Sequence, residues 1–125
     1  MERKTRQRDA IREAFRRADR PLSTEEVHLA ARKSVPGLGV ATVYRTIRSL
    51  QAEEWLATVE LPGAPARYEL TGKAHHHHFH CDRCDRVFDL VGCPGTLRDL
   101  LPRSFRLDRH ELVLYGRCAD CARAA

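Results

Sequence analysis

Residues 41–70 read ATVYRTIRSLQAEEWLATVELPGAPARYEL, and this stretch decides the architecture of the N-terminal half. Val43, Ile47 and Leu50 recur at helical spacing, which predicts a helix from about Ala41 to Glu54. Tyr44, Arg45, Arg48 and Ser49 then face outward. Two β-prone runs follow, Leu56 to Leu61 and Ala66 to Leu70, and Pro62-Gly63-Ala64-Pro65 between them reads as the loop of a hairpin. A helix that turns basic and hydroxyl-bearing side chains outward, followed by a hairpin, matches the last three elements of a winged helix. Upstream, Ile11, Ala14, Phe15 and Ala18 place a first helix over Lys4 to Ala18. Ser23-Thr24-Glu25-Glu26 opens a second: Ser23 caps it, Glu26 reaches back, and Val27, Ala30 and Ala31 supply its apolar stripe. Pro36-Gly37-Leu38-Gly39 separates the second helix from the third.

In a winged helix the third helix enters the major groove, where its outer side chains meet base edges and phosphates, and the hairpin lies along the backbone. Thr42, Tyr44, Arg45, Arg48 and Ser49 carry suitable chemistry, with forked donors from arginine and hydroxyls from the others. The charge distribution agrees. The chain has a net charge of +5, of which residues 1–56 hold +4 and residues 57–125 only +1. Positive charge gathered in one half suits a polyanionic partner, although basic helices are often only solvated surface.

The second half concentrates metal-ligand residue types. Cys81-Asp82-Arg83-Cys84 and Cys118-Ala119-Asp120-Cys121 are two CxxC pairs. Two pairs can place four thiolates around one tetrahedral Zn²⁺ and staple two chain segments together. A redox CxxC needs a thioredoxin-like βαβ setting, and no such pattern surrounds either pair. With every position filled by protein, such a site is structural rather than catalytic. Between the pairs, Val87 to Val91 and Glu111 to Tyr115 read as strands and Thr96 to Leu101 as a short helix. The zinc would tie the strand near Tyr115 to the strand that opens this half.

Ahead of the first pair stands His75-His76-His77-His78-Phe79-His80. An expression tag sits at a terminus and usually runs longer, so this run belongs to the protein. On a strand, alternate residues face opposite sides, so His76, His78 and His80 share one face while His75 and His77 share the other. The run therefore feeds two sites. Glu69 and Asp89 are the nearest carboxylates to join His76 and His78, and such a mixed nitrogen–oxygen set suits Fe²⁺, Mn²⁺ or Zn²⁺ alike. Cys93 is the unpaired thiol. Such a residue is by default a small buried apolar group; the alternative is a further, thiolate-containing site with His75, His77 and His110, which tilts selectivity toward zinc.

Arg6-Gln7-Arg8, Ala41-Thr42-Val43-Tyr44-Arg45, Tyr68-Glu69-Leu70, the histidine run, the CxxC and Leu114-Tyr115-Gly116-Arg117-Cys118 occur in this order over nearly the whole chain. In this respect the chain resembles the ferric uptake regulator (Fur) family. The resemblance implies an α+β protein: a winged-helix DNA-binding domain over residues 1–72, then a small α/β metal-binding dimerisation domain with structural zinc over residues 73–125. It implies Cys81, Cys84, Cys118 and Cys121 as zinc ligands, and Glu69, His76, His78 and Asp89 as a regulatory site for a second divalent metal. It also implies that Tyr44 and Arg45 lie near DNA, and Arg6, Arg8, Thr42 and Arg48 complete the expected DNA-facing set. His75, His77 and His110 match an additional site of some members, whose acidic partner falls near Thr96. Many members also donate a histidine from just before the second helix; Pro21 stands there, and His28, one to two turns farther on, is the nearest substitute.

The expectation is thus a cytoplasmic homodimer that binds a palindromic operator in double-stranded DNA when metal is bound, a repressor-type regulator and not an enzyme. Zinc is the favoured effector; iron, manganese or peroxide response within the same family is the alternative. A small zinc metalloenzyme would need an open metal position and a nearby base, and no HExxH-like helix occurs. A metal-buffering protein would explain the histidines but not the basic third helix. No run of about 18 apolar residues marks a membrane span, and the charged opening MERKTRQRDA lacks the apolar core of a signal peptide. Reduced thiols suit metal binding in that compartment.

Overall fold

A computed structural model describes residues 2–123 and resolves the chain into two compact units, the first ending at Lys73 and the second beginning at Ala74. The first unit runs α1 (Glu2–Ala18), α2 (Thr24–Ala31), α3 (Val40–Ala52), β1 (Leu56–Leu61) and β2 (Ala64–Leu70). One face of each helix closes on a shared core of Ile11, Phe15, Val27, Val43, Ile47 and Leu50, all at most 2% exposed. Trp55 meets Phe15 edge to face across 6.3 Å at the rim of this core. The helical spacing seen in the sequence thus becomes the packing face.

Ser23 caps α2 as its sequence suggests. Its Oγ accepts from the Glu26 amide at 3.1 Å, and its own amide donates to Glu26 Oε1 at 2.9 Å. Two otherwise orphaned amides at the helix start are satisfied. The expected stripe is wrong at one place: Ala30 is exposed, and Thr24 lies buried in line with Val27 and Ala31. Positions 24, 27 and 31 share a face, whereas position 30 is rotated off it.

The hairpin is tighter than expected. Leu61 pairs with Ala64, so only Pro62 and Gly63 form the turn, and Pro65 lies inside β2. Proline fixes its own φ, and Gly63 takes φ +69°, which any Cβ would disfavour. A bulge between Val59 and Leu61 absorbs the irregularity. The Leu22 and Tyr68 backbones exchange hydrogen bonds of 2.8 and 2.9 Å, adding a short third rung beside β2. Three helices and this small sheet make a winged helix.

The second unit comprises β3 (His76–Cys81), β4 (Val87–Val91), β5 (Val113–Gly116) and α4 (Ala119–Arg123). β3 is central, antiparallel to β4 and parallel to β5. The strand expected at Glu111 begins two residues later and extends to Gly116, and the expected helix from Thr96 shrinks to one 3₁₀ turn, Leu97–Leu100. Architecture and class are α+β throughout.

Candidate metal centres and nucleic-acid interface

On the first unit, α1 and α3 border an open groove lined by Lys4, Gln7, Arg8, Thr42, Arg45 and Ser49. Tyr44, Arg45 and Arg48 are exposed on α3, Arg6 is exposed on α1, and Thr42 is half-buried where its hydroxyl accepts from Arg45 at 3.1 Å. Of these five expected residues, Thr42 and Arg45 line the groove, whereas Arg6, Tyr44 and Arg48 are exposed outside its lining. Arg8 is different. Its guanidinium donates to Ser49 Oγ at 3.2 Å and pairs closely with Glu53, which also lies 3.8 Å from Arg12. The hydrogen bond from Arg8, followed by that residue's charge, holds the Glu53 carboxyl below its ordinary range. Sequence spacing offered no sign of this clamp, because the partners are 45 residues apart.

His28, the substitute for the ligand missing at Pro21, is already engaged: its Nε2 lies 2.8 Å from the Leu38 carbonyl oxygen, tying α2 to the loop before α3. Glu69 on β2 is buried, with Lys73 Nζ at 3.5 Å from its carboxylate.

In the second unit the four cysteines converge. Cys81 ends β3, Cys84 sits in the turn that follows, Cys118 precedes α4 and Cys121 lies within it. Cys84 and Cys118 sulfurs are 3.9 Å apart, against roughly 3.8 Å for two thiolates held about 2.3 Å from one tetrahedral zinc. The amides of Cys84 and Cys118 point at Cys81 Sγ from 3.5 and 3.4 Å and draw its thiol down to about 6. Burial, reinforced by the neighbouring sulfurs, pushes the Cys121 thiol up to about 12. Packed together without a cation, the four sulfurs cannot all ionise; a divalent ion removes that conflict. The donor set fits zinc. Arg86, which sequence reasoning passed over, hydrogen-bonds Cys84, and that bond with the sulfur's charge raises its own pKa.

β3 sorts the histidines by face as alternation requires. His76 and His78 rings stand 4.8 Å apart, and their Nε2 atoms lie 3.6 and 3.5 Å from Asp89 Oδ1 on the paired strand β4. His78 and Asp89 are direct cross-strand partners. His80 leaves this group: its Nε2 meets Asp85 Oδ1 at 2.6 Å, beside the Tyr115 ring. On the opposite face, His75, His77 and His110 gather with Cys93. Cys93 is exposed, contrary to the expectation of a buried apolar thiol, because the chain leaves the sheet immediately after Val91.

Comparison with known proteins identifies the family. The family model described as the ferric uptake regulator family matches residues 2–115. The ferric uptake regulation protein of Campylobacter jejuni is 30% identical over 122 residues, 94% of this chain and 78% of that protein. The ferric uptake regulator of Francisella tularensis, solved with iron, superposes with a TM-score of 0.71 at 25% identity, covering 94% of this chain and 92% of that one. FurB from M. tuberculosis, a zinc uptake regulator, does so at 0.53 and 27%, covering 95% of each. By name these relatives are regulators rather than enzymes, and they answer to different metals. The chain belongs to the ferric uptake regulator family of metal-responsive transcriptional regulators.

Proposed function

We propose that this chain is a homodimeric repressor that binds a palindromic operator when a divalent metal fills a regulatory site of Glu69, His76, His78 and Asp89, and that zinc is its effector. The observation that carries the reading is the convergence of His76 and His78 on Asp89 at 3.5–3.6 Å on one face of the β3–β4 pair. Glu69, the last carboxylate of the winged-helix unit, is the fourth donor that family membership implies. Metal that binds the DNA-competent state more tightly than the other makes its binding free energy available to select that state.

Arg6, Arg8, Thr42, Tyr44, Arg45 and Arg48 supply the DNA contacts. Arginines pair with phosphates and guanine edges, and the hydroxyls of Thr42 and Tyr44 position the helix. Cys81, Cys84, Cys118 and Cys121 hold a structural zinc that keeps the end of β3 next to the end of β5. Dimerisation is supported by the second unit's exposed apolar side chains, among them Leu114 and Tyr115 on the edge strand β5, each about half exposed. An open, apolar strand edge is a template for pairing with another strand. The regulatory set itself suits Fe²⁺, Mn²⁺ or Zn²⁺; the zinc reading rests on Cys93 and the histidine-rich strand, since a thiolate beside imidazoles tilts selectivity toward zinc.

The test is anaerobic titration of the zinc-stapled protein with Zn²⁺, Fe²⁺ and Mn²⁺ while binding to operator-like duplexes is followed at fixed salt. Zinc is expected to tighten binding, and the paired change His76→Ala and His78→Ala to abolish the effect. Equal binding with and without metal would contradict the proposal. Tightening by Fe²⁺ or Mn²⁺ but not Zn²⁺ would keep the regulator and reject zinc.

A further inference from the structure

Asp85 holds a backbone conformation that a side chain disfavours. Its φ is +65°, in the left-handed region. For a residue with a Cβ that region is disfavoured by a factor on the order of 5–30, least so for asparagine and aspartate, whose short polar side chains bond locally. The turn carrying the first cysteine pair imposes it. The Asp85 amide donates to the Cys81 carbonyl at 3.0 Å, and the Cys81 amide donates to the Arg86 carbonyl at 2.9 Å. The chain thereby reverses between Cys81 and Arg86 and brings the Cys84 amide back to 3.5 Å from Cys81 Sγ.

His80 sits where this turn can be held. Its Nε2 lies 2.6 Å from Asp85 Oδ1, a short hydrogen bond onto a carboxylate. The two ends differ in setting. The His80 side chain is 11% exposed and that of Asp85 74%, so the remaining carboxylate lone pairs stay in water. His80 Nδ1 is buried with no hydrogen-bond partner among the described residues. A proton there would be orphaned, so the neutral ring carries its proton on Nε2, the atom facing Asp85. The same ring also reaches the segment of the second cysteine pair. His80 is the cross-strand partner of Tyr115 on β5, with ring centroids 5.9 Å apart, three residues ahead of Cys118.

We propose that His80 is a positioning residue for the four-cysteine metal site: by binding Asp85 it holds the left-handed turn in which Cys81 and Cys84 face Cys118 and Cys121. The inference rests on the structural-zinc reading of those cysteines and goes beyond it, since neither His80 nor Asp85 is among the four converging thiols. Glycine would take the conformation at position 85 without help. Aspartate takes it while its carboxylate has a donor, and His80 supplies that donor from the strand that ends in Cys81. The turn is thus set before metal arrives, and zinc spends less of its binding free energy on ordering the chain.

The test follows zinc loss from the full-length protein, read at the cysteines themselves. Zinc-loaded protein is placed in excess chelator with iodoacetamide and a phosphine reductant, and alkylation of Cys84 and Cys118 is mapped by mass spectrometry over time. His80→Leu should expose them about tenfold sooner than in wild type, within the range set by the left-handed preference. Asp85→Asn keeps an acceptor and tolerates the turn, and Asp85→Gly needs no brace; both should stay within about threefold of wild type. The deciding variant combines His80→Leu with Asp85→Gly, where the tenfold effect of His80→Leu should disappear. A side chain that only filled space between β3 and β5 would cost the same in both backgrounds, and that result would overturn the proposal. Unchanged zinc loss in His80→Leu would overturn it too. A readout that needs no variant is the nitrogen-15 spectrum of His80, which should show Nε2 protonated and Nδ1 bare; the opposite tautomer rejects the brace. Wild-type cysteines that are alkylated at once and hold no zinc would instead reject the four-cysteine reading, and the brace with it.

Discussion

Removing zinc from the four-cysteine cluster should unfold the second unit and spare the first. The buried apolar side chains divide unequally between them. Ile11, Phe15, Leu22, Val27, Leu38, Val43, Ile47, Leu50 and Leu56 cluster in the first unit, whereas the second buries Val87 and the cluster's own Cys81 and Cys121. Fully burying a residue such as valine contributes roughly 1.5–3 kcal/mol. Binding of structural zinc supplies on the order of 10–16 kcal/mol at neutral pH. On these magnitudes, zinc held by the four cysteines would contribute more to the second unit's stability than its few buried apolar side chains do. Hydrogen exchange with mass spectrometry reads the two separately. After chelation under reducing conditions, peptides covering β3, β4 and β5 should exchange at nearly unfolded rates, while peptides covering α1 and α3 keep their protection. Cys118→Ser should reproduce the pattern without chelator. Persistent protection of β3 and β5 after metal removal would refute the reasoning, since it would mean that packing alone holds the unit.

Three further outcomes concern the first unit. Ser23→Ala should destabilise it by about 1 kcal/mol, read from the urea midpoint, because both bonds of the capping box depend on that side chain or its placement. Leu50→Ala, at a fully buried position, should cost about 2–5 kcal/mol on the same measurement. Glu53→Gln should release Arg8 toward the α3 surface, tighten DNA binding, and steepen the slope of log affinity against log salt by about 1. The lowered Glu53 pKa sets the sign of the pH effect: the Arg8 clamp is complete above the unfolded carboxyl's pKa and weakens as pH falls through the folded one. Loss of DNA binding in Glu53→Gln would instead make the clamp part of the binding surface.

What could be read from the chain is what local pattern encodes. Val43, Ile47 and Leu50 repeat at the helical period, Ser23 and Glu26 satisfy a four-residue cap, and alternation along β3 separates His76 and His78 from His75 and His77 on sequence alone. The CxxC spacing likewise announces itself. Features set by distant neighbours were not legible. Arg8 meets Glu53 across 45 residues, and His28 reaches the Leu38 carbonyl ten residues on. The five residues of α4 are too few to show a period, although they carry Cys121. Cys93 was ambiguous for the same reason: whether it is buried or exposed depends on where the chain goes after β4, which no local rule dictates.

The proposed function requires that metal and DNA binding be energetically coupled, and linkage makes the coupling measurable from either side. Zinc affinity should be determined for the free protein and for the protein bound to its operator, with the four-cysteine site filled in both. If the regulatory metal selects the DNA-competent arrangement, DNA must tighten zinc by the same factor by which zinc tightens DNA, and His76→Ala with His78→Ala must remove both effects. A zinc affinity that is identical with and without DNA would contradict the account.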